Sequence, residues 1–274
     1  MNRPIVPRPA RKSAVVCAAL AVVVAVVLAV TAQASAGARP EPSHALAVDG
    51  HDRTARADVT RGKDLAQPLL LRDADGARSI LAFAPRASAG RPLTVVYLHG
   101  IHGRAENGCP WLRDGATAIG WLVCPSANAH LANDTYSWGG TVLDQRAVVA
   151  RAERAAQAQG ADPASANVIV GFSQGAYVAL DLVGARLGSY RGLVLIGADI
   201  DPAKALLDAG GVGRLVLAAG SLDASFAPLR RAAERLRREG MDVRFLDLGP
   251  VGHTYQTTDK EALRDAIAWA GRSS

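Results

Sequence analysis

Beyond residue 66 the chain alternates short, almost wholly apolar runs with longer segments in which apolar positions recur at helical spacing. The apolar runs fall at 93–98, 121–124, 167–172, 192–197, 214–219 and 243–248. Runs of that length without polar interruption are strands covered on both faces. The amphipathic segments between them predict helices over 110–119, 142–159, 174–187, 224–238 and 259–270. Strands that alternate with helices in this way form a mostly parallel central sheet with helices on both faces, an α/β fold. Two earlier apolar stretches, 68–72 and 77–85, flank Asp73, Ala74, Asp75 and Gly76, which suit a tight hairpin turn, so the sheet gains an antiparallel N-terminal edge. Residues 67–274 are accounted for as one domain with no internal repeat.

The first 66 residues read differently. Arg3, Arg8, Arg11 and Lys12 precede an apolar run over 14–30, and Ala32-Gln33-Ala34 and Ala34-Ser35-Ala36 follow it. That order is the n-region, h-region and small-residue cleavage site of a signal peptide over 1–36. A membrane anchor through 14–30 is the alternative, since about 17 to 25 apolar residues span a bilayer. Residues 37–66, rich in Pro, Ala, Asp and Arg without periodicity, read as a linker. The formal net charge of +6 shrinks to +2 once the four basic residues before Ala36 are discounted. So neutral a domain carries no electrostatic footprint for nucleic acid, and Arg230, Arg231, Arg235, Arg237 and Arg238 are spaced like a solvated helix face. Cys17 lies inside the apolar run, which leaves Cys109 and Cys124, an even count that predicts a disulfide in an exported chain; two buried thiols are the competing reading.

Gly171-Phe172-Ser173-Gln174-Gly175 matches G-x-S-x-G and lies between a predicted strand and a predicted helix, the context in which that motif exposes a nucleophilic serine. A serine hydroxyl needs a base to take its proton and a third group to orient the base. His253, in the turn after the last strand, is the candidate base. Asp223, past the end of the 214–219 strand, is the candidate acid. Asp199 and Asp201 are alternatives, set aside because Asp201-Pro202 looks like a helix start with Asp201 as its cap. Acyl transfer also requires donors for the tetrahedral oxyanion. The backbone N–H of Gln174 is one candidate, and that of Ile101, with His102 behind it, is the other, in Leu98-His99-Gly100-Ile101-His102-Gly103. No carboxylate or cysteine joins His99 and His102 at ligand spacing, so no metal is expected.

These residues together resemble the α/β-hydrolase superfamily, most nearly its carboxylesterase, lysophospholipase and acyl-protein thioesterase group with related secreted esterases and polyhydroxyalkanoate depolymerases. The resemblance covers about 93–269. It implies that Ser173, Asp223 and His253 form a triad, that Ile101 and Gln174 supply an oxyanion hole, and that no cofactor takes part. The implied substrate is a small-molecule or polymeric ester. A membrane enters only if the N-terminal segment is retained. The loop over 125–140, with Tyr136-Ser137-Trp138-Gly139-Gly140, departs from the pattern, and its Tyr136 and Trp138, together with His102 of the earlier turn, are the candidate substrate contacts. Only a short helix fits between 197 and 214, where the superfamily often inserts a lid, so no large cap is expected and the site should lie open. A serine peptidase of the same fold and a non-catalytic binding protein are the competing readings.

Overall fold

The computed structural model describes residues 68–72, 79–86, 92–257 and 259–272. The expected signal peptide or anchor, the linker over 37–66 and the hairpin turn at 73–76 lie outside the described residues.

Eight strands form one sheet: β1 (Leu69–Arg72), β2 (Ser79–Phe83), β3 (Leu93–Leu98), β4 (Gly120–Pro125), β7 (Asn167–Phe172), β8 (Tyr190–Ile196), β9 (Arg214–Ala219) and β10 (Asp242–Asp247). Two short strands, β5 (Ala129–Leu131) and β6 (Thr135–Ser137), pair separately. The sheet order is β1-β2-β4-β3-β7-β8-β9-β10. The β1–β2 and β2–β4 pairs are antiparallel and every other pair is parallel, as the hydrophobic pattern predicts. The helices are α1 (Ala105–Ala116), α2 (Val142–Ala158), α3 (Gln174–Gly184), α4 (Lys204–Ala209), α5 (Phe226–Arg238) and α6 (Lys260–Ala270).

Strand side chains alternate between two cores. In β3, Val96 and Leu98 face one core with residues of α2, α3 and α5, while Val95 and Tyr97 face the other with residues of α1 and α6. Both faces of the central strands are covered by apolar side chains, which is why these strands carry no polar alternation. The last strand is different: its Asp242, Arg244 and Asp247 are exposed because β10 is a sheet edge.

Two helix starts differ from the expectation. α1 begins at Ala105, and Pro110 lies inside it. The earlier turn is retained because Ala105, Gly108 and Cys109 are buried: Gly108 lies so close to the Tyr97 ring that a Cβ would collide with it, and Cys109 is joined to Cys124 of β4 by a disulfide. Asp201 caps nothing. The N-cap of α4 is Ala203, without a side-chain bond, and Asp201 instead accepts hydrogen bonds from Arg235 on α5 at 2.7 and 3.2 Å.

Candidate active site

The candidate residues gather at the carboxyl ends of parallel strands, where open α/β sheets form their crevices. Between β7 and α3 the chain reverses direction at Ser173, whose φ of 52° and ψ of −119° are left-handed for a residue with a side chain. Surrounding structure must hold such a conformation. Ser173 N–H donates to the Ile196 carbonyl at 2.9 Å, and the flanking glycines let the chain close on itself. A Cβ on Gly171 would collide with the backbone of Gly175 and Ala176, and one on Gly175 with the carbonyl of Leu98.

Ser173 Oγ lies 3.0 Å from His253 Nε2, and His253 Nδ1 lies 2.7 Å from Asp223 Oδ2. Asp223 is well buried, with its side chain 4% exposed. Burial alone would push its carboxyl up. Hydrogen bonds from the N–H and hydroxyl of Ser225, at 2.8 and 2.9 Å, and from His253 outweigh it and hold the group below the ordinary carboxylate range. An ionised carboxylate can only accept, so Nδ1 carries the imidazole proton and Nε2 is free to accept from the serine. The loops that carry Asp223 and His253 are tied directly: Ser221 N–H donates to Gly249 O at 2.8 Å and Leu222 N–H to Val251 O at 3.1 Å. The His253 ring lies 5.0 Å from that of Phe172 and sits over Gly197, where a Cβ would come within 3.3 Å of it. The imidazole is otherwise open, with its side chain 52% exposed.

Asp199 and Asp201 do not reach this group. The carbonyl of Asp199 accepts from Tyr177 Oη, and Asp201 belongs to Arg235. Ser225, which sequence reasoning missed, donates its N–H and hydroxyl to Asp223; the Asp-x-Ser spacing of a local side-chain turn was the available signal.

The turn after β3 passes beside the serine: a Cβ on Gly100 would lie 3.1 Å from that of Ser173. Gly103 N–H donates to Gly100 O at 3.0 Å, so Ile101 and His102 occupy the middle of a tight turn, and His102 has a φ of 54°. Gln174 begins α3, so its N–H has no intrahelical acceptor. His99, by contrast, is buried. Its Nδ1 faces Gly100 O at 2.8 Å and its Nε2 accepts from Ala127 N–H at 3.1 Å. Burial holds its imidazole below the ordinary histidine range, against the bond to Gly100 and the charge of Glu106. Among the described residues no three His, Cys, Asp or Glu side chains are grouped to hold a metal.

The 125–140 loop corrects one expectation and adds another feature. Trp138 is 4% exposed and donates its indole N–H to His99 O at 2.9 Å, so its ring supports the site from the core instead of lining it. Tyr136 is half-buried, with its N–H on Gly103 O at 3.0 Å. The Gln174 side chain reaches into this loop: Oε1 accepts from Trp138 N–H at 3.0 Å and from Ser137 Oγ at 3.2 Å, and Nε2 donates to Trp138 O at 3.0 Å. Asn128 grips the next residue in the same way, through Gly139 N–H at 2.9 Å and Gly139 O at 3.0 Å.

No protein-family model matches the sequence, and no curated protein is similar to it in sequence. Solved structures do match. TT1662 from Thermus thermophilus superposes with a TM-score of 0.52 at 21% identity, over 74% of this chain and 95% of that one. The Bacillus cereus carboxylesterase gives 0.52 at 17% identity over 72% and 96%. S-formylglutathione hydrolase from Staphylococcus aureus gives 0.51 at 17% identity over 71% and 93%. At these identities the likeness is one of architecture, and that architecture, with its mostly parallel eight-stranded sheet, is the α/β-hydrolase fold.

Proposed function

We propose that this chain is an exported serine hydrolase that cleaves a carboxylic ester or thioester through an acyl-enzyme. The observation that carries this reading is the unbroken relay Ser173 Oγ to His253 Nε2 at 3.0 Å and His253 Nδ1 to Asp223 Oδ2 at 2.7 Å. In the reaction, Ser173 gives its proton to His253 Nε2 as its oxygen bonds to the substrate carbonyl carbon. The backbone N–H groups of Gln174 and Ile101 stabilise the resulting oxyanion. Collapse expels the alcohol or thiol, which takes the proton from His253. A water molecule then repeats the sequence on the acyl-enzyme and frees Ser173. Asp223 stays charged throughout and holds the imidazole in the tautomer that can accept. It is ionised well below the pH range in which imidazoles titrate.

The structural neighbours support a hydrolase of this fold, since one is a carboxylesterase and another an S-formylglutathione hydrolase. An exposed His253 favours short-chain esters, acylated surfaces or polymer ends over a deeply enclosed lipid tail. Export rests on the 1–36 signal-peptide reading and is supported by the Cys109–Cys124 disulfide, a bond that persists in oxidising compartments. The mature chain then starts near Ser35 or Gly37, and N-terminal sequencing of exported protein decides it.

The test is labelling by a fluorophosphonate together with kcat/KM on p-nitrophenyl esters and on peptide amides. The expected result is labelling of Ser173 and turnover of esters alone. Ser173→Ala should lower kcat/KM by about a million-fold and Asp223→Asn by about ten-thousand-fold, with Asp199→Asn close to wild type. A folded Ser173→Ala with full activity overturns the proposal.

A further inference from the structure

We propose that the Gln174 side chain, by clamping the strap at 136–139, is the positioning residue of the oxyanion hole, holding its two donor segments in register. This inference rests on the function proposed above and assigns its positioning to a side chain that the relay itself does not use.

The strap begins in β6, where Tyr136 and Ser137 pair with β5, and just beyond it side-chain amides take the place of neighbouring strands at Trp138 and Gly139. The N–H and C=O of Trp138 both meet the Gln174 amide, at 3.0 Å each. Successive residues of an extended chain present these groups in opposite directions. Accordingly the N–H and C=O of Gly139 both meet the Asn128 amide on the other side. A primary amide reproduces the donor and acceptor of a peptide group, and glutamine has the reach to do so from the first residue of α3.

The strap also holds both ends of the turn after β3. Trp138 Nε1–H donates to His99 O, and Tyr136 N–H donates to Gly103 O. Those carbonyls bracket Gly100, Ile101 and His102. One short segment therefore bonds to the turn that offers the Ile101 N–H and to the residue that offers the other donor. Gln174 takes part twice, with its backbone N–H directed to the oxyanion and its side chain fixing the partner segment. A segment that merely closed a surface loop would have no reason to end on the residue after the nucleophile.

The chemistry of the clamp gives it a pH signature. In Gln174→Glu an ionised carboxylate still accepts from Trp138 N–H and Ser137 Oγ, but its second oxygen faces the Trp138 carbonyl with no hydrogen between them. Protonation supplies that hydrogen and restores the full set. The experiment measures kcat and KM of wild type, Gln174→Ala and Gln174→Glu on a short aryl ester from pH 4 to 8, with thermal melting to establish folding. A misplaced donor of this kind should lower kcat of Gln174→Ala by about 100-fold with KM little changed. The ratio of Gln174→Glu to wild-type kcat should rise as pH falls through the carboxyl range, while the ratio for Gln174→Ala stays flat. A trifluoromethyl ketone that mimics the tetrahedral state should lose affinity in proportion to kcat/KM.

A folded Gln174→Ala with wild-type kcat overturns the inference, and so does a Gln174→Glu ratio that does not change with pH. If neither Gln174 variant folds, Ser137→Ala removes one bond of the clamp, and an unchanged kcat there also overturns it. Fluorophosphonate labelling keeps the two readings apart. A wild type that does not label defeats the serine mechanism and this inference with it, whereas a wild type that labels beside a Gln174→Ala that labels equally fast defeats the clamp alone.

Discussion

The turn at Ser173 is held by what its own residues lack, whereas the strap at 136–139 is held by what distant side chains supply. Glycines at 171 and 175 leave room for backbone to touch backbone, so the turn is coded within five residues of sequence even though Ile196 O and the backbone of Leu98 complete its surroundings. Past its pairing with β5 the strap has no such local code. The bonds at its end come from Gln174, 36 residues away from Trp138, and from Asn128, 11 residues away from Gly139. Both lie at the same end of the sheet. The first is therefore sensitive to added volume and the second to lost polarity, two different modes of failure in one site.

The largest effect expected from this contrast is at Ser173 itself. Ser173→Gly should abolish turnover, by about a million-fold in kcat/KM, while raising stability by about 1 to 3 kcal/mol as the φ of 52° ceases to be strained. Denaturant melts beside an ester assay check both halves. A variant that is inactive and less stable would mean that the elbow is not strained.

Gly175→Ala probes crowding. Its methyl group would lie 2.8 Å from His99 O and closer still to Leu98 O, so stability should fall by about 3 kcal/mol or more. Urea unfolding measures the loss.

Asn128→Ala probes polarity and should be milder. It leaves the N–H and C=O of half-buried Gly139 without their amide partner, at about 1 to 2 kcal/mol. Comparable losses for Gly175→Ala and Asn128→Ala would erase the distinction between the two turns.

The smallest effect concerns protons at the base of the strap. Because His99 is neutral and its folded pKa lies below the unfolded one, the unfolded chain takes up a proton first as pH falls. His99 thus contributes stability that is present above the unfolded value, about 6.5, and lost as pH falls below it. Between pH 7 and pH 5 the wild type should lose more stability than His99→Gln does, read from urea midpoints at the two pH values. Equal losses would show that His99 is not the linked group.

The same contrast explains what could be read from the sequence. Strands 93–98, 167–172 and 214–219 match to the residue because apolar cover on both faces demands almost wholly apolar runs. The hairpin edge and the turn at Ser173 were legible for similar reasons, since each is written in adjacent residues, and Ser173, Asp223 and His253, read from strand ends, do lie within hydrogen-bond reach of one another. Three features were not. Asp201-Pro202 carries a helix-start signal, but Asp201 gains more from the Arg235 guanidinium than from a cap. Pro110 suggested a first turn, yet the buried Ala105, Gly108 and Cys109 draw α1 five residues further back. Trp138 was read as a substrate contact because its loop departs from the superfamily pattern; its indole proton found a backbone carbonyl in the core instead. Each miss comes from a contact across many residues, which no local pattern records.

The crossing from β8 to β9 holds only the six-residue α4, while the imidazole at the site is 52% exposed. That makes the crossing a socket for engineering. Added chain there lengthens a surface connection, and loop closure becomes only slowly less favourable with length. Chain inserted in this crossing is therefore expected to leave the β8–β9 register and the bonds of Ser173, His253 and Asp223 as they are. Under the proposed function, selectivity can then be sought by addition, with the sheet and its strained serine unchanged.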